Sequence, residues 1–321
     1  MNRKKLKLVV MIPCFNEEKT LPSVITAIPK RISGISQIKI LIINDGSSDD
    51  TEKIAKKLKV HLVSHIQNQG LGVAFRNGLN RALELGAGII VNIDADMQFN
   101  PKDIPLLVMP IVENKADMVT ASRFYNKQII PKNMSLTKKI GNWGFTQLVN
   151  LLIGKKFTDT QCGFRAYSRE AALNLNIFNQ FTYTQEVFIA LANKGMKILE
   201  IPIKVKYYKE RKAKISASLS KYGLQALMIV MRTFRDYKPL VFFGLPGLII
   251  FAIGFLMVGF SLIYWAVTKT TTPIRMDFWV GSFFITLGFL LIVLALIADM
   301  FKRMRRNQEE ILYRLKTGNG R

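Results

Sequence analysis

Short apolar runs alternate with amphipathic segments over the first two hundred residues. The runs are rich in Ile, Val and Leu, and they lie at 6–12, 38–43, 60–64, 89–93 and 118–121. Between them, helix-starting residues and apolar positions that recur on one helical face predict helices at 17–32, 48–58, 70–85 and 101–114. Extended segments at 157–168 and 196–208 flank a further helix near 186–193. Strands that alternate with helices at this spacing predict an α/β fold with a doubly wound, mainly parallel sheet.

Two later segments, 240–267 and 278–298, are far longer and almost wholly apolar. Each is long enough to cross a hydrocarbon core of about 30 Å. Neither has a polar face, so a pair of buried core helices explains them less well. Basic segments flank the pair: residues 204–238 carry ten Lys and Arg against two acids, and the tail from 302 carries seven against two. Since basic segments stay in the cytoplasm, we expect a multi-pass membrane protein with both termini cytoplasmic.

These patterns divide the chain into four parts. We expect a cytoplasmic domain at 1–217, an interfacial helix at 218–238, a two-helix transmembrane hairpin at 239–301 and a basic cytoplasmic tail at 302–321. The apolar run near the N-terminus is too short for a signal peptide. Residues 126–156 carry six Lys and no acid. That segment predicts an amphipathic helix, either lying at the membrane surface or packed on its own domain.

Charge and cysteine content narrow the function. The chain has 46 Lys and Arg against 22 acids, a net charge of +24. This excess favours anionic partners such as phosphate-bearing substrates or anionic lipid, and the apolar helices argue against nucleic acid. Cys14 and Cys162 are the two cysteines, without a CxxC pair, so we expect neither a disulfide framework nor a zinc site. The two histidines, His61 and His65, do not lie on a predicted helix, and without that frame we do not expect them to form a metal site.

Polar clusters end three of the predicted strands. Their sequences are Pro13-Cys14-Phe15-Asn16-Glu17, Asn44-Asp45-Gly46-Ser47 and Asp94-Ala95-Asp96-Met97-Gln98. Each alone has an ordinary explanation as a turn or helix cap, but strand ends of one parallel sheet together form a crevice for ligands. Two carboxylates one residue apart repel each other unless a cation lies between them, and hard divalent cations prefer oxygen ligands. The clusters therefore predict a nucleotide site, with a metal on Asp94 and Asp96 bridging a diphosphate and with Asp45 accepting from base or ribose.

Further motifs make the pattern specific. They are Asn68-Gln69-Gly70-Leu71-Gly72-Val73-Ala74 with Gly78, Ala121-Ser122-Arg123-Phe124, Asp159-Thr160-Gln161-Cys162-Gly163-Phe164-Arg165, Glu186 and Glu200-Ile201-Pro202-Ile203. By itself the first of these is either a simple helix start or a loop that approaches sugar or phosphate. Together with the strand-end clusters, over residues 6–216, the set resembles glycosyltransferase family 2. Within that family it is similar to the polyprenyl-phosphate sugar synthases of the dolichyl-phosphate mannose synthase type. The resemblance implies a GT-A fold, which is a Rossmann-like doubly wound sheet.

The resemblance also implies roles for individual residues. Those that would bind the donor are Pro13, Phe15, Glu17, Ile43, Asp45, Asp94, Ala95, Asp96, Gln98 and Arg123. Those that would hold Mg²⁺ or Mn²⁺ on the donor diphosphate are Asp94, Asp96 and Gln98. Those that would bind the acceptor phosphate are Arg123, Arg165, Arg211 and Ser216. Asp96, Arg123 and Arg211 would be catalytic.

The sequence departs from the family pattern in two places. In the loop that carries Ser216, Lys214 stands where the family has Gly and Ala217 where it has Lys. Lys212, Lys214 or Lys221 could supply the missing charge instead. Asn44 replaces the commoner first Asp of the second cluster. It is still a polar group at a strand end, so the predicted fold is unaffected.

The resemblance implies an inverting, metal-dependent transfer of a hexose from a nucleotide-sugar to a dolichyl or undecaprenyl phosphate. GDP-mannose, UDP-glucose and UDP-GlcNAc all stay open as donors, and so does self-association. One alternative is a membrane glycosyltransferase with another lipid or polysaccharide acceptor. The Gln-x-x-Arg-Trp signature of processive polysaccharide synthases is absent from the sequence. Another alternative is a non-catalytic scaffold that binds anionic lipid.

Overall fold

The computed structural model describes residues 6–131, 133–177, 180, 182–206, 219–272 and 274–318. The chain forms two compact units, one ending at Val230 and the other beginning at Met231. The first unit contains a seven-stranded sheet, and the second contains two long apolar helices.

The sheet of the first unit is mainly parallel, as predicted. Its strands are β1 Leu6–Cys14, β2 Ile35–Asn44, β3 His61–Ser64, β4 Ile89–Asn92, β5 Met118–Ser122, β6 Arg165–Ser168 and β7 Ile198–Pro202. The order across the sheet is β3-β2-β1-β4-β6-β5-β7. Strand β6 runs antiparallel to both β4 and β5, while the other neighbouring strands are parallel. The sequence predicted an extended segment there but not its direction.

Helices connect most of these strands. They are α1 Leu21–Ala27, α2 Thr51–Lys57, α3 Leu71–Glu84, α4 Ile104–Val112 preceded by a 3₁₀ turn at Pro101–Asp103, α5 Leu136–Ile153, α6 Arg169–Leu173 and α7 Thr184–Asn193. The predicted helix at 17–32 is wrong at both ends. Pro22 lies in the first turn of α1, where no N–H donor is needed. Ile28 is extended, with ψ 129°, because the following Pro29 disfavours a helical conformation.

The central strands are buried on both faces, which explains their continuous apolar runs. Leu8, Val10 and Ile12 of β1 belong to one core cluster, together with residues of α1 and α4. Val9 and Met11 point to the opposite face and are also fully buried. Because both faces are covered by protein, the carboxyl ends of the strands are where polar residues reach solvent.

Helix α5 shows two faces with different surroundings. Asn142, Thr146, Val149 and Leu152 are buried. The apolar side chains of the other face are exposed, namely Leu136, Ile140, Trp143 and Leu151. The prediction that this helix packs on its own domain is therefore confirmed for one face. Contact of the other face with a membrane stays a prediction.

The C-terminal part of the chain is helical almost throughout. Helix α8 covers Leu219–Tyr237, a π-helical turn follows at Leu240–Gly244, and α9 Leu245–Thr268 and α10 Arg275–Thr317 come next. Within the described residues, the segments Leu240–Thr268 and Arg275–Thr317 are long and apolar enough to cross a membrane. The location of α8 at a lipid interface stays a prediction.

Helix α10 is longer than the predicted span at 278–298, because the segment predicted as a separate tail continues it to Thr317. No Pro or Gly interrupts the sequence between Gly288 and Gly318. Ion pairs one turn apart, such as Arg303 with Asp299 and Arg314 with Glu310, support the extension. The helix stops at Gly318, which adopts the left-handed conformation with φ 76°.

Small residues allow α9 and α10 to pack closely. Gly247 and Gly254 of α9 are buried, as are Gly281 and Gly288 of α10. A Cβ atom on Gly288 would lie 2.5 Å from the backbone nitrogen of Phe251 and 2.7 Å from the carbonyl oxygen of Gly247. Close backbone approach of this kind is typical of helix pairs in membranes.

We expect Gly288→Ala to destabilise the helix pair by about 1–3 kcal/mol, because the added methyl group must push the two backbones apart. The measurement is unfolding in mixed SDS micelles, followed by circular dichroism. Gly259→Ala is the matched control: Gly259 lies in α9, the other helix of the pair, but a Cβ there meets no atom within 4 Å. Equal stability of the two variants would contradict this packing.

Candidate active site

The three polar clusters follow neighbouring parallel strands. Cys14 at the end of β1 pairs with Asn44 at the end of β2, and Met11 of β1 pairs with Asn92 at the end of β4. The segments that begin at Phe15, Asp45 and Ile93 therefore leave the sheet at the same edge. The three clusters therefore lie at one edge of the sheet, as predicted, which is where open α/β sheets bind ligands.

The first two clusters are locked together by hydrogen bonds. The backbone N–H of Asn16 donates to Ser47 Oγ (3.0 Å), and the N–H of Ser48 donates to Asn16 Oδ1 (2.8 Å). The N–H of Glu17 donates to Thr51 Oγ1 (2.8 Å). Asn16 adopts a left-handed conformation with φ 55°, which Asn tolerates better than most residues. These hydrogen bonds hold the two loops together, and the side chain of Phe15 is partly exposed beside them.

Asp45 organises the loop that precedes α3. Its Oδ1 accepts from the backbone N–H of Gln69 (2.9 Å) and its Oδ2 from that of Gly70 (3.0 Å). His65 Nδ1 lies 2.7 Å from Asp45 Oδ1, and its Nε2 lies 3.0 Å from Asn77 Nδ2. His65 was not predicted to belong to the site, because nothing in the sequence links it to an aspartate 20 residues earlier. The nucleoside contact of Asp45 stays a prediction.

The acidic pair lies in the turn after β4. Asp96 Oδ1 accepts from the backbone N–H of Gln98 (3.0 Å), and Met97 between them has φ 59°. The Asp94 carboxylate lies against Gly163, where a Cβ atom would come within 3.3 Å of Oδ2. Burial, followed by the negative charge of Asp96, raises the pKa of Asp94 to about 7, although Arg123 opposes the shift. The two carboxylates are therefore close enough for each to affect the ionisation of the other.

This donor set fits a metal that is shared with a substrate. Within the described ranges, no three His, Cys, Asp or Glu side chains converge as a complete metal cage. Mg²⁺, however, is commonly held by one or two carboxylates, with phosphate oxygens and waters completing its coordination. Asp94 and Asp96, two carboxylates in one turn at the edge of the sheet, match that arrangement.

Buried polar groups support the acidic turn from beneath. Asn92 Nδ2 donates to the carbonyl oxygen of Gly163 (2.9 Å) and to Tyr183 Oη (2.8 Å). The Tyr183 ring stacks on Phe75 with 3.7 Å between centroids. These contacts join α3, α7 and the Gly163 loop behind Asp94. Neither Asn92 nor Tyr183 was predicted, because their partners are distant in the sequence.

Arg123 directly follows β5 and is held by a buried carboxylate. Its Nε donates to Asp159 Oδ2 (2.6 Å) and its Nη2 to Asp159 Oδ1 (2.9 Å). The Asp159 side chain is fully buried, whereas that of Arg123 is 15% exposed. This two-point contact fixes the plane of the guanidinium. The charge of Arg123 lowers the pKa of Asp94 and so opposes the effect of burial.

Glu200 of β7 holds the loop that carries Asp159. Glu200 Oε1 accepts from the backbone N–H of Asp159 (2.8 Å), and both of its carboxylate oxygens accept from that of Thr158. Burial raises the pKa of Glu200, although these hydrogen bonds partly counteract the shift. Glu200 of the sheet thus holds Asp159 in place, and Asp159 in turn positions Arg123. Both belong to motifs found in the sequence, but their roles become apparent only in the structure.

Two predicted site residues are fully buried. Arg165 is fully buried in β6, where Nη1 donates to the carbonyl oxygen of Thr184 and Nη2 to that of Thr160, both at 2.9 Å. Its guanidinium is enclosed by protein, so the predicted contact with the acceptor phosphate is corrected to a structural role. The Ile43 side chain is also fully buried and packs toward Gly78 of α3, so a nucleoside contact through this side chain is ruled out.

The remaining predicted residues fall into two groups. Pro13, Glu17 and Gln98 are partly exposed, while Ala95 is buried within the acidic turn. Arg211 and Ser216 lie outside the described residues, as do Lys212 and Lys214 of the divergent loop. Their predicted roles at the acceptor phosphate stay predictions.

Comparison with known proteins identifies the family. The profile described as Glycosyl transferase family 2 matches residues 9–175. The UDP-N-acetylglucosamine–dolichyl-phosphate N-acetylglucosaminyltransferase of Methanococcus voltae is 37% identical over an alignment of 221 residues that covers 62% of this chain and 86% of that protein. The polyprenol monophosphomannose synthase of Mycolicibacterium smegmatis is 27% identical over 220 residues, covering 63% and 78% of the two chains.

A solved structure supports the fold. Glucosyl-3-phosphoglycerate synthase from Mycobacterium tuberculosis superimposes with a TM-score of 0.54 and 22% identity, covering 72% of this chain and 80% of that chain. At this identity the likeness shows the fold alone, and it confirms the predicted GT-A architecture. The family profile spans more than half of the chain and contains the three strand-end clusters and Arg123. This chain is therefore a glycosyltransferase that belongs to glycosyl transferase family 2.

Proposed function

We propose that this protein transfers a hexose or N-acetylhexosamine from a nucleotide-sugar to a polyprenyl phosphate, with inversion at the anomeric carbon. The main support for this proposal is the Asp94–Asp96 turn, which follows β4 at the carboxyl edge of the sheet. The charge of Arg123 acts on this turn, since it lowers the pKa of Asp94. Relatives named for transfer to dolichyl or undecaprenyl phosphate support the choice of acceptor.

Asp94 and Asp96, assisted by Gln98, would hold Mg²⁺ or Mn²⁺ on the donor diphosphate. The metal would supply positive charge to the departing nucleoside diphosphate. A complex of the Mycobacterium tuberculosis synthase contains Mn²⁺ together with UDP, which supports this part of the proposal. Pro13, Phe15, Glu17, Asp45 and Ala95 would form the donor side of the crevice.

The acceptor itself removes the need for a strong general base. The second pKa of a phosphomonoester is about 6, so the attacking oxygen is largely anionic at neutral pH. The main task of the protein is then to bring two anions together in line. Arg123, whose guanidinium is held by Asp159, would neutralise phosphate charge there. Arg211 and Ser216 would complete the acceptor site.

The test is a screen of radiolabelled GDP-mannose, UDP-glucose and UDP-GlcNAc with a short polyprenyl phosphate, with and without EDTA. We expect one donor to give a lipid-linked sugar product, and we expect EDTA to abolish its formation. EDTA-resistant transfer would remove the metal role. A lack of both transfer and metal-dependent nucleotide binding would favour the scaffold alternative.

We also propose that α9 and α10 cross the membrane as a hairpin, with the catalytic unit and both termini in the cytoplasm. Basic residues flank the pair, whereas the connector at 268–277 carries a net charge of only +1. A reporter inserted at Thr270 should therefore appear outside the cell, and one fused at Arg321 should appear inside. Finding both reporters on one side of the membrane would contradict the hairpin.

A further inference from the structure

The cytoplasmic end of α10 carries an exposed apolar stripe. Phe301, Met304, Ile311 and Leu315 are 58%, 47%, 58% and 62% exposed. With Gln308 they recur at alternating intervals of three and four residues, which is the spacing of the inner positions of a coiled coil. The stripe is therefore a regular seam, and we call Phe301, Met304, Gln308, Ile311 and Leu315 the α10 seam.

The same spacing continues back into the apolar part of the helix. Leu290, Leu294 and Ile297 are exposed and extend the seam without a break in register. The glycines that face α9 lie elsewhere on the helix. Gly288 is 6 residues and Gly281 is 13 residues before Leu294. At 100° per residue, both are roughly opposite the seam. Packing between α9 and α10 therefore leaves the seam uncovered.

A different side of the same extension contacts α8. Arg305 Nη1 donates to Asp236 Oδ2 (3.0 Å), its Nε donates to Glu309 Oε1 (3.2 Å), and its guanidinium lies 5.2 Å from the centroid of the Tyr237 ring. These contacts fix the extension beside the end of α8. They involve the side of the helix next to the seam and do not cover it.

Lipid is a poor partner for the outer half of the seam. If the apolar part of α10 crosses the bilayer, the continuous helix from Lys302 to Thr317 reaches about 24 Å beyond it, at 1.5 Å per residue. Ile311 and Leu315 then lie in water, far from the hydrocarbon. An apolar seam in that position needs a protein partner.

We propose that the α10 seam forms a parallel coiled coil with the same segment of a second copy of this chain. The proposal rests on the membrane hairpin proposed above, because copies inserted with one orientation present their α10 helices in parallel. In that arrangement the flanking positions pair Met300 with Arg305 and Asn307 with Leu312, so no like charges meet. Gln308 would face its counterpart and set the register, as single polar residues do in such seams.

The short length of the seam does not count against this assembly. Two heptads of helix associate weakly in solution, but helices tethered in one membrane have a high effective concentration. The exposed Leu290, Leu294 and Ile297 would add contacts within the bilayer. Because both copies are confined to one membrane, the added contact area of these residues is enough to hold them together.

The test is oxidative cross-linking in isolated membranes. Ile311→Cys places a thiol in the seam, and Arg306→Cys, on the opposite side of the helix in the preceding turn, is the matched control. Cys14 and Cys162 are both buried, and burial raises the pKa of the Cys162 thiol to about 12, so neither competes for the oxidant. We expect about tenfold more disulfide-linked dimer from Ile311→Cys than from Arg306→Cys. Equal yields would overturn the proposal.

A second measurement is the mass of the purified protein in detergent by light scattering. The wild type should be at least a dimer, and Ile311→Glu with Leu315→Glu should lower the mass to that of one chain, while Arg306→Glu should not. A monomeric wild type, or Ile311→Cys protected from a water-soluble maleimide in monomeric nanodiscs, would overturn the seam in favour of lipid. Extraction by alkaline carbonate would overturn both the hairpin and the coiled coil, whereas a lack of sugar transfer would overturn the proposed function alone.

Discussion

Asp96→Asn is expected to lower the rate of sugar transfer by about 10²–10³-fold while leaving the protein folded. The substitution keeps the shape of the side chain and the acceptor for the Gln98 N–H, but it removes one of the two charges that would hold the metal. Losing charge stabilisation at the leaving group typically costs about 3–4 kcal/mol of transition-state binding. The measurement is turnover at saturating metal and donor, together with metal-dependent binding of the nucleoside diphosphate.

Asp50→Asn is the matched control for this prediction. Asp50 forms an exposed ion pair with Lys53, and pairs of this kind contribute little to stability. Its replacement should leave turnover and membrane insertion unchanged. Near wild-type turnover of Asp96→Asn would show that the metal assignment is wrong. Loss of the folded state in Asp96→Asn would instead show that the carboxylate has a structural role.

Arg123→Ala is expected to have two large effects. Transfer should fall by at least about 10²-fold, because a positioned positive charge is lost from the crevice. The free energy of unfolding of the first unit should fall by about 3 kcal/mol, because Asp159 is left buried without its ionic partner. The measurements are turnover and thermal unfolding of the full chain. Arg123→Lys should recover part of the stability but less of the activity, since Lys cannot reproduce the two-point contact.

Arg81→Ala is the control that distinguishes the loss of any arginine–carboxylate pair from the loss of this particular pair. Arg81 also pairs with a carboxylate, that of Glu84, but both side chains are largely exposed. Its replacement should cost no more than about 1 kcal/mol and should leave turnover unchanged. If Arg123→Ala is as mild as Arg81→Ala, Arg123 has neither the positioning contact nor the catalytic role assigned to it.

Local patterns account for the parts of the molecule that were predicted correctly. Strand and helix order follow from side-chain periodicity, which each segment has regardless of its partners. The three strand-end clusters were recognisable because apolar runs stop abruptly at polar residues, and parallel strands bring their carboxyl ends to one edge. The long apolar helices need only length and composition. The ends of α1 were predicted wrongly, although Pro29 was a visible signal for the C-terminal end.

Long-range contacts account for the parts that were not predicted. The direction of β6 depends on its pairing with β4 and β5, to which the extended segment itself gives no clue. Arg165 was predicted to bind phosphate because it lies in a family motif, but the tertiary structure encloses it among carbonyl oxygens. A motif identifies a residue and its neighbours in the chain, whereas the exposure of its side chain depends on everything packed around it.

The sequence by itself determined the family, the order of elements, the acidic turn at Asp94 and Asp96, and the two helices able to cross a membrane. The tertiary structure established which charged and polar side chains surround that turn. It brought Asp159 to Arg123 across 36 residues, His65 to Asp45 across 20, and Glu200 to the Asp159 loop across 41. The physical reason is that polar side chains pair according to distance and burial, and both are set only when the sheet and its helices have packed.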